Sequence, residues 1–264
     1  MIINPYVFGA AFDPDAQAFI TAAGITDNTQ KSAINTLVLD MKGFGIWTKM
    51  KAIYPFVGGT ATTHKFNLKN PADTNAAFRL VFFGGWTHTT NGAQGNGTNS
   101  YADSFFIPST QYSVIDNAAL SVYSRSNITE NRCEIGCYNG TNSALQINVA
   151  TTAFAPQNTG TYMNNVTESK FADTDSRGFY ITSRTGTTVT MFENSTLKVT
   201  QTTTALARPN VSIFIGAQNL VGSANIPSSK QLAFASIMDG LTNTDAANFY
   251  TAVQAFNTTL ARQV

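Results

Sequence analysis

Two rhythms of apolar residues run along this chain. In QLAFASIM (231–238), Leu232, Phe234 and Ser236 fall on one side while Ala233, Ala235 and Ile237 fall on the other. Small and apolar residues on both sides predict a strand covered on each face. Asp239-Gly240 breaks the alternation as a turn pair. Thr242 or Thr244 can then cap a helix over 244–262, with Asp245 in its first turn near the positive end of the dipole. Ala246, Phe249, Tyr250, Val253, Phe256 and Leu260 recur at three and four, which makes one helical stripe. Arg262 stands at the last turn, where a cation is favoured.

Residues 1–55 also carry the helical rhythm. Asp13-Pro14-Asp15 starts a short helix, Ala16 to Ala23, which Gly24 ends. Thr26 can cap a second, whose apolar side is Ala33, Ile34, Leu37, Val38 and Met41 and whose stop is Gly43. These helices are too short and too thinly apolar to stand alone, and they predict a cover for one edge or end of a sheet. From about residue 53 the rhythm turns to two. Candidate strands are 53–57, 62–68, 78–83, 104–107, 120–124, 132–138, 145–149, 178–184, 188–192, 197–200, 211–216 and 231–237. Glu193-Asn194-Ser195-Thr196 reads as a tight hairpin. A dozen short strands without crossover helices predict an antiparallel double-sheet sandwich. The whole of 1–264 reads as one domain, closed by the C-terminal helix.

Composition narrows the partners. The formal charge is +1 and only 12% of residues are charged, so the chain has no electrostatic footprint for nucleic acid or an anionic membrane. No apolar run approaches the roughly 20 residues of a membrane helix. The start, MIINPYVFGAAF, lacks the basic and continuous apolar regions of a signal peptide. The two cysteines, Cys133 and Cys137, would sit about 13 Å apart on one strand face at roughly 3.3 Å per residue, too far to bond. They read as buried structural thiols.

Chemistry is sparse. His64 and His88 have no Cys, Asp or Glu at metal-ligand spacing, and no hydrolase or phosphate-cradling motif is present. Glu130/Glu134 and Asp173/Asp175 are the nearest approach to the paired carboxylates of a glycosidase. Asp173 and Asp175 lie in a loop that could equally hold calcium or nothing. The expectation is a protein without catalytic residues, metal or cofactor. The segment 84–104, GGWTHTTNGAQGNGTNSYADS, is the most unusual stretch. It reads as a loop too long for a hairpin turn, with glycine freedom, aromatic rings and neutral polar groups. Flat apolar rings beside amides and hydroxyls suit sugar recognition. Trp86, His88, Asn96, Asn99, Tyr101 and Asp103 are therefore the candidate ligand-binding residues. The alternative is that Trp86 and Tyr101 plug the sandwich edge.

GFYITSR, MFENSTLKV, NVSIFIGAQN and QLAFASIMDGLTNTDAANFY follow one another over 178–250. Their order resembles the closing half of concanavalin A-like, or laminin-G-like, lectin jelly rolls. GIWTKMKAIYPFVGG, HKFNLKNP, FRLVFFGGWTH, NGTNSYADSF and FYTAVQAFNTTLARQV look like a domain of tailed-phage virion proteins, found in tail fibres and other structural proteins. The resemblance spans about residues 12–264 and carries no active site. It implies an antiparallel jelly-roll sandwich on a virus particle, made in the host cytoplasm. Its expected partners are other virion proteins, a bacterial surface polysaccharide and copies of itself, three if it is borne on a fibre. Two other roles stay open, a purely structural capsid or tail component and a polysaccharide-degrading enzyme on the same fold.

Overall fold

The computed structural model describes residues 11–141, 143–152 and 157–264; the first ten positions of the helical cover lie outside them. The N-terminal helix, Pro14–Ala22, is capped by the Asp13 carboxylate and ends before Gly24, whose φ is +64°. The second, Asn28–Gly43, is capped by Asp27 rather than Thr26, since the Asp27 carboxylate accepts from Gln30 N at 2.8 Å. Its expected stripe, Ala33 to Met41, is buried. Lys42 reaches Asp13 at 2.7 Å and Asp15 at 2.6 Å and ties the two helices together. The C-terminal helix, Asn243–Thr259, starts in a reciprocal capping box between Thr242 and Asp245.

Strands build two sheets. The first runs, in spatial order, Thr196–Thr202, Thr188–Glu193, Gly178–Thr185, Asn117–Ser124, Gln231–Met238, Gly92–Gly95 and Trp86–Thr89. Met50–Tyr54 also pairs with Gln231–Met238. The second runs Ser169–Ala172, Asn158–Asn165, Ala144–Thr151, Ile135–Tyr138, Phe214–Ile215, Tyr101–Asp103 and Val81–Phe83. Among the described strands pairing is antiparallel except where Gln218–Leu220 lies parallel to Ile135–Tyr138 before turning into Ser223–Asn225, and an isolated bridge, Cys133 with Pro227, is parallel too.

Two apolar layers result. Between the sheets, Leu120, Val122, Tyr180, Ala235 and Ile237 of the first meet Ile135, Cys137, Leu145, Ile147 and Met163 of the second. On the first sheet's other face, Tyr123, Phe179, Phe234 and Met238 meet the three helices. Phe179, Phe234, Phe249 and Phe256 pack edge to face there, with neighbouring ring centroids 5.2–6.4 Å apart. Burying each such ring contributes about 1.5–3 kcal/mol, and each good ring pair about 0.5–1.5 kcal/mol more.

The structure corrects several local expectations. A bulge between Leu232 and Phe234 shifts the alternation, so Leu232 joins Ala235 and Ile237 between the sheets while Ala233 and Phe234 face the helices. The expected strand 62–68 is instead a helical turn, Ala61–His64, nucleated by a Thr60–Thr63 capping box. Phe78 and Phe105 have φ of +60° and +57°, which delays one strand to Val81 and ends the other at Asp103. The strands at 86–89, 92–95, 158–165, 169–172, 218–220 and 223–225 were not among those expected. Arg262 does more than answer a helix end. It is fully buried, and its guanidinium donates to the carbonyls of Pro55 (2.6 Å), Phe56 (2.9 Å) and Ala233 (2.9 Å) and to Asn257 Oδ1 (2.8 Å). Burial lowers its pKa to about 9.

Candidate functional site

The stretch 84–104 is not one long loop. Trp86–Thr89 and Gly92–Gly95 form a hairpin on the first sheet, and Tyr101–Asp103 belongs to the second, so the stretch crosses between sheets at one end. Trp86 is half-buried, with Nε1 donating to the carbonyls of Phe83 (3.1 Å) and Tyr101 (3.2 Å). Its ring meets Phe82 edge-on at 5.3 Å and covers Gly216, where a side chain would collide with it. Tyr101 is held between Phe83 at 4.7 Å and Phe214 at 4.5 Å in a stacked column. The Asp103 carboxylate accepts from Phe105 N at 2.8 Å. Asn96 and Asn99 are exposed, but Asn96 Oδ1 accepts from the backbone of Thr98, Asn99 and Ser100, and Asn96 Nδ2 donates to Asn99 Oδ1 at 2.8 Å. These amides therefore shape their own turn. The structure brings Trp86, His88 and Tyr101 into one aromatic group and sets Asn96 and Asn99 beside it.

His88 Nδ1 lies 2.9 Å from His64 Nδ1, so one imidazole donates to the other. His64 is 1% exposed and its Nε2 is buried without a partner. Burial, then the neighbouring His88 and Arg262, lower its pKa to about 3. Burial lowers that of His88 as well. Both rings are neutral at pH 7.

Glu130 and Glu134 do share a face, around a cation that their spacing did not reveal. Lys230 Nζ sits 3.1 Å from Glu134 and 3.4 Å from Glu130, and Ser228 Oγ donates to both carboxylates. The side chains of Lys230 and Glu134 have no exposed surface, so this knot fastens the segment before Gln231–Met238 onto the second sheet. Asp173 accepts from Tyr180 OH at 3.0 Å, and Asp175 pairs with Arg177 at 2.6 Å. Cys133 and Cys137 are both buried, and burial raises both thiol pKa values. Among the described residues no cluster of three or more His, Cys, Asp or Glu side chains could hold a metal ion.

A cleft of about 350 Å³ opens on the outer face of the second sheet, lined by Tyr138, Thr141, Ala144, Gln146, Tyr162, Asn165, Val166 and Gln218. Strand register explains it. Asn225, Gln218, Gly136, Gln146 and Tyr162 are successive partners across neighbouring strands and form one transverse row. Gly136 has no side chain, and a Cβ there would overlap Gln146, so Gln146 and Gln218 meet above it. Asn225 Nδ2 donates to Gln218 Oε1, Gln218 Nε2 to Gln146 Oε1, Gln146 Nε2 to Asn148 Oδ1, and Asn148 Nδ2 to the Arg132 carbonyl. Tyr138 and Tyr162 are half-exposed beside this floor, and Tyr138 OH donates to the Thr141 carbonyl at 3.0 Å. None of these residues was singled out from the sequence. The signal was present in ALQINVAT, where Gln146 and Asn148 alternate with Leu145, Ile147 and Val149 and put amides on the face opposite the core. The strand 158–165, which brings Tyr162, carries too few apolar residues to stand out.

No family model matches the chain, and no curated protein matches it. Among solved structures it is similar to domain 4 of AbnA, a GH43 extracellular arabinanase from Geobacillus stearothermophilus, in complex with arabinotriose. That match has a TM-score of 0.53 at 13% identity and covers 76% of this chain and 98% of that one. It is also similar to the receptor binding domain of botulinum neurotoxin C/D mosaic serotype, with a TM-score of 0.54 at 10% identity, covering 78% of this chain and 52% of that one. The chain thus spans about half of the neurotoxin domain. At these identities the likeness is one of fold, and the fold is a mostly β sandwich of two antiparallel sheets with short helices towards its N- and C-terminal ends.

Proposed function

We propose that this chain is a non-catalytic sandwich carried on a bacteriophage particle, where it adheres to a glycan of the bacterial surface through the Tyr138–Tyr162 cleft. The cleft carries the adhesive part of the reading. Two half-exposed tyrosines offer flat faces to sugar C–H groups, and the amide floor offers donors and acceptors to hydroxyls. Domain 4 of AbnA, a protein of similar fold, was solved with arabinotriose, which supports a sugar ligand. The virion setting rests on the sequence stretches that resemble tailed-phage proteins. The non-catalytic part is supported by the acids: Glu130 and Glu134 are held by Lys230, Asp173 by Tyr180 and Asp175 by Arg177.

Host cells or their purified polysaccharide should bind the protein, and Tyr162→Ala should weaken that binding tenfold or more, equivalent to about 1.4 kcal/mol, while the melting temperature stays near that of the parent. Asn99→Ala, in the hairpin region first singled out, is the comparison. A loss there with Tyr162→Ala intact would move the ligand to the 84–104 stretch. Absence of binding to any host glycan would overturn adhesion, and release of reducing sugar would overturn the non-catalytic assignment. Antibody labelling of purified particles tests the virion setting.

A further inference from the structure

We infer, resting on the glycan reading of the Tyr138–Tyr162 cleft, that this site selects a neutral oligosaccharide and rejects acidic ones. The amide row is the first reason. Its last donor, Asn148 Nδ2, ends on the Arg132 backbone carbonyl, a group that can only accept. That end fixes the orientation of every amide behind it: Asn148 must turn its oxygen to Gln146, Gln146 its oxygen to Gln218, and Gln218 its oxygen to Asn225. Gln146 and Gln218 are each left with one N–H and one lone pair beyond the row. A hydroxyl both donates and accepts, and so can use both; a carboxylate only accepts, and leaves the lone pairs of the floor unanswered.

Charge is the second reason. None of the eight residues lining the cleft is a lysine, arginine or histidine. The carboxylate in the neighbourhood is Glu168, placed so that a side chain at Gly160, two residues from Tyr162, would run into it. Burial raises the pKa of Glu168, which pairs with Lys170 at 3.6 Å. Gly160 and Tyr162 lie two residues apart on one face of strand 158–165, so Glu168 stands on the Tyr162 side, and burial, then Glu168, raises the pKa of Tyr162. An anionic sugar entering beside Tyr162 would lose hydration and approach the Glu168 carboxylate, and the cation there, Lys170, is already paired with that carboxylate.

The test titrates the purified protein with tetrasaccharides of two kinds, neutral (gluco-, galacto- and arabino-configured) and acidic (a tetragalacturonate and a sialylated tetrasaccharide), by calorimetry at low and at physiological salt. At least one neutral probe is expected to bind, with every acidic probe at least tenfold weaker. A second arm installs the missing cation at the rim. Val166 is 62% exposed, so Val166→Lys leaves the fold intact. It is expected to raise the ratio of acidic to neutral affinity at least fivefold, in a salt-sensitive way. Acidic probes binding the parent as well as neutral ones would overturn the selectivity while leaving the glycan reading in place. No binding by either class, to parent or variant, would overturn the glycan reading and this inference with it.

Discussion

His64 shows how one buried ring couples stability to pH. In the folded chain its pKa is about 3, whereas an unfolded histidine titrates near 6.5. Its neutral form is therefore bound by the fold, and the stabilisation is complete above pH 6.5. Below that the unfolded chain takes up a proton that the folded ring refuses, so stability falls as the pH drops towards 3. The slope is at most about 1.4 kcal/mol per pH unit for one such group. His88 is shifted in the same direction and adds to it. Denaturant unfolding between pH 6.5 and 5 should show this slope in the parent and a shallower one in His64→Phe. An identical slope in both would mean that another group sets the acid limit. The sequence reading put His64 in the candidate strand 62–68. The Thr60–Thr63 box that turns this segment into a helix, and the partner ring 24 residues away, were not visible in the local alternation.

At the scale of elements, Gly136 sits mid-strand where a residue with a side chain would ordinarily be favoured. Gly136→Ala should cost about 1–3 kcal/mol, the usual range for overpacking, because the added methyl meets the Cβ and backbone of strand 144–151. A smaller loss in denaturant unfolding would show that the strands can part without penalty. The same variant should pry Gln218 from Gln146 and weaken glycan binding more than it lowers stability. The elements the sequence made legible were those with strong rhythm: the helices of 14–22, 28–43 and 243–259, the strands of 117–124, 178–193 and 231–238, and the Asn194 turn, whose φ is +56°. Those it hid were short or polar strands, such as 158–165 and 218–220, where inter-strand pairing rather than apolar alternation defines the element. The cleft was hidden for the same reason, since its row takes single residues from five strands.

For the molecule as a whole, the helical layer and the first sheet share one core, so the C-terminal helix cannot be peeled away. Deleting 244–264 would expose the side of the sheet that Phe249, Val253 and Phe256 cover, and would remove the Arg262 guanidinium from the carbonyls of Pro55, Phe56 and Ala233. Three such side chains at about 1.5–3 kcal/mol each approach the margin of about 5–15 kcal/mol by which domains are stable. The truncated protein should be insoluble or lack a cooperative melt; a soluble truncation with a sharp transition would show the helix to be an accessory.

The position of Gln231–Met238 also bears on how the chain reaches this state. It fills the gap between Asn117–Ser124 on one side and Met50–Tyr54 with Gly92–Gly95 on the other, and the Ser121–Ser236 contact joins residues 115 positions apart. Until it arrives, Asn117–Ser124 offers a bare edge of unpaired amides flanked by Leu120 and Val122, the kind of surface on which a second chain can pair. Closing so long a loop costs entropy before any contact repays it, which puts such topologies among slow folders. During that interval the competing reaction is second order in chain concentration and closure is first order. Dilution should therefore raise the yield of refolded protein, while chemically identical buffers at higher concentration give aggregates.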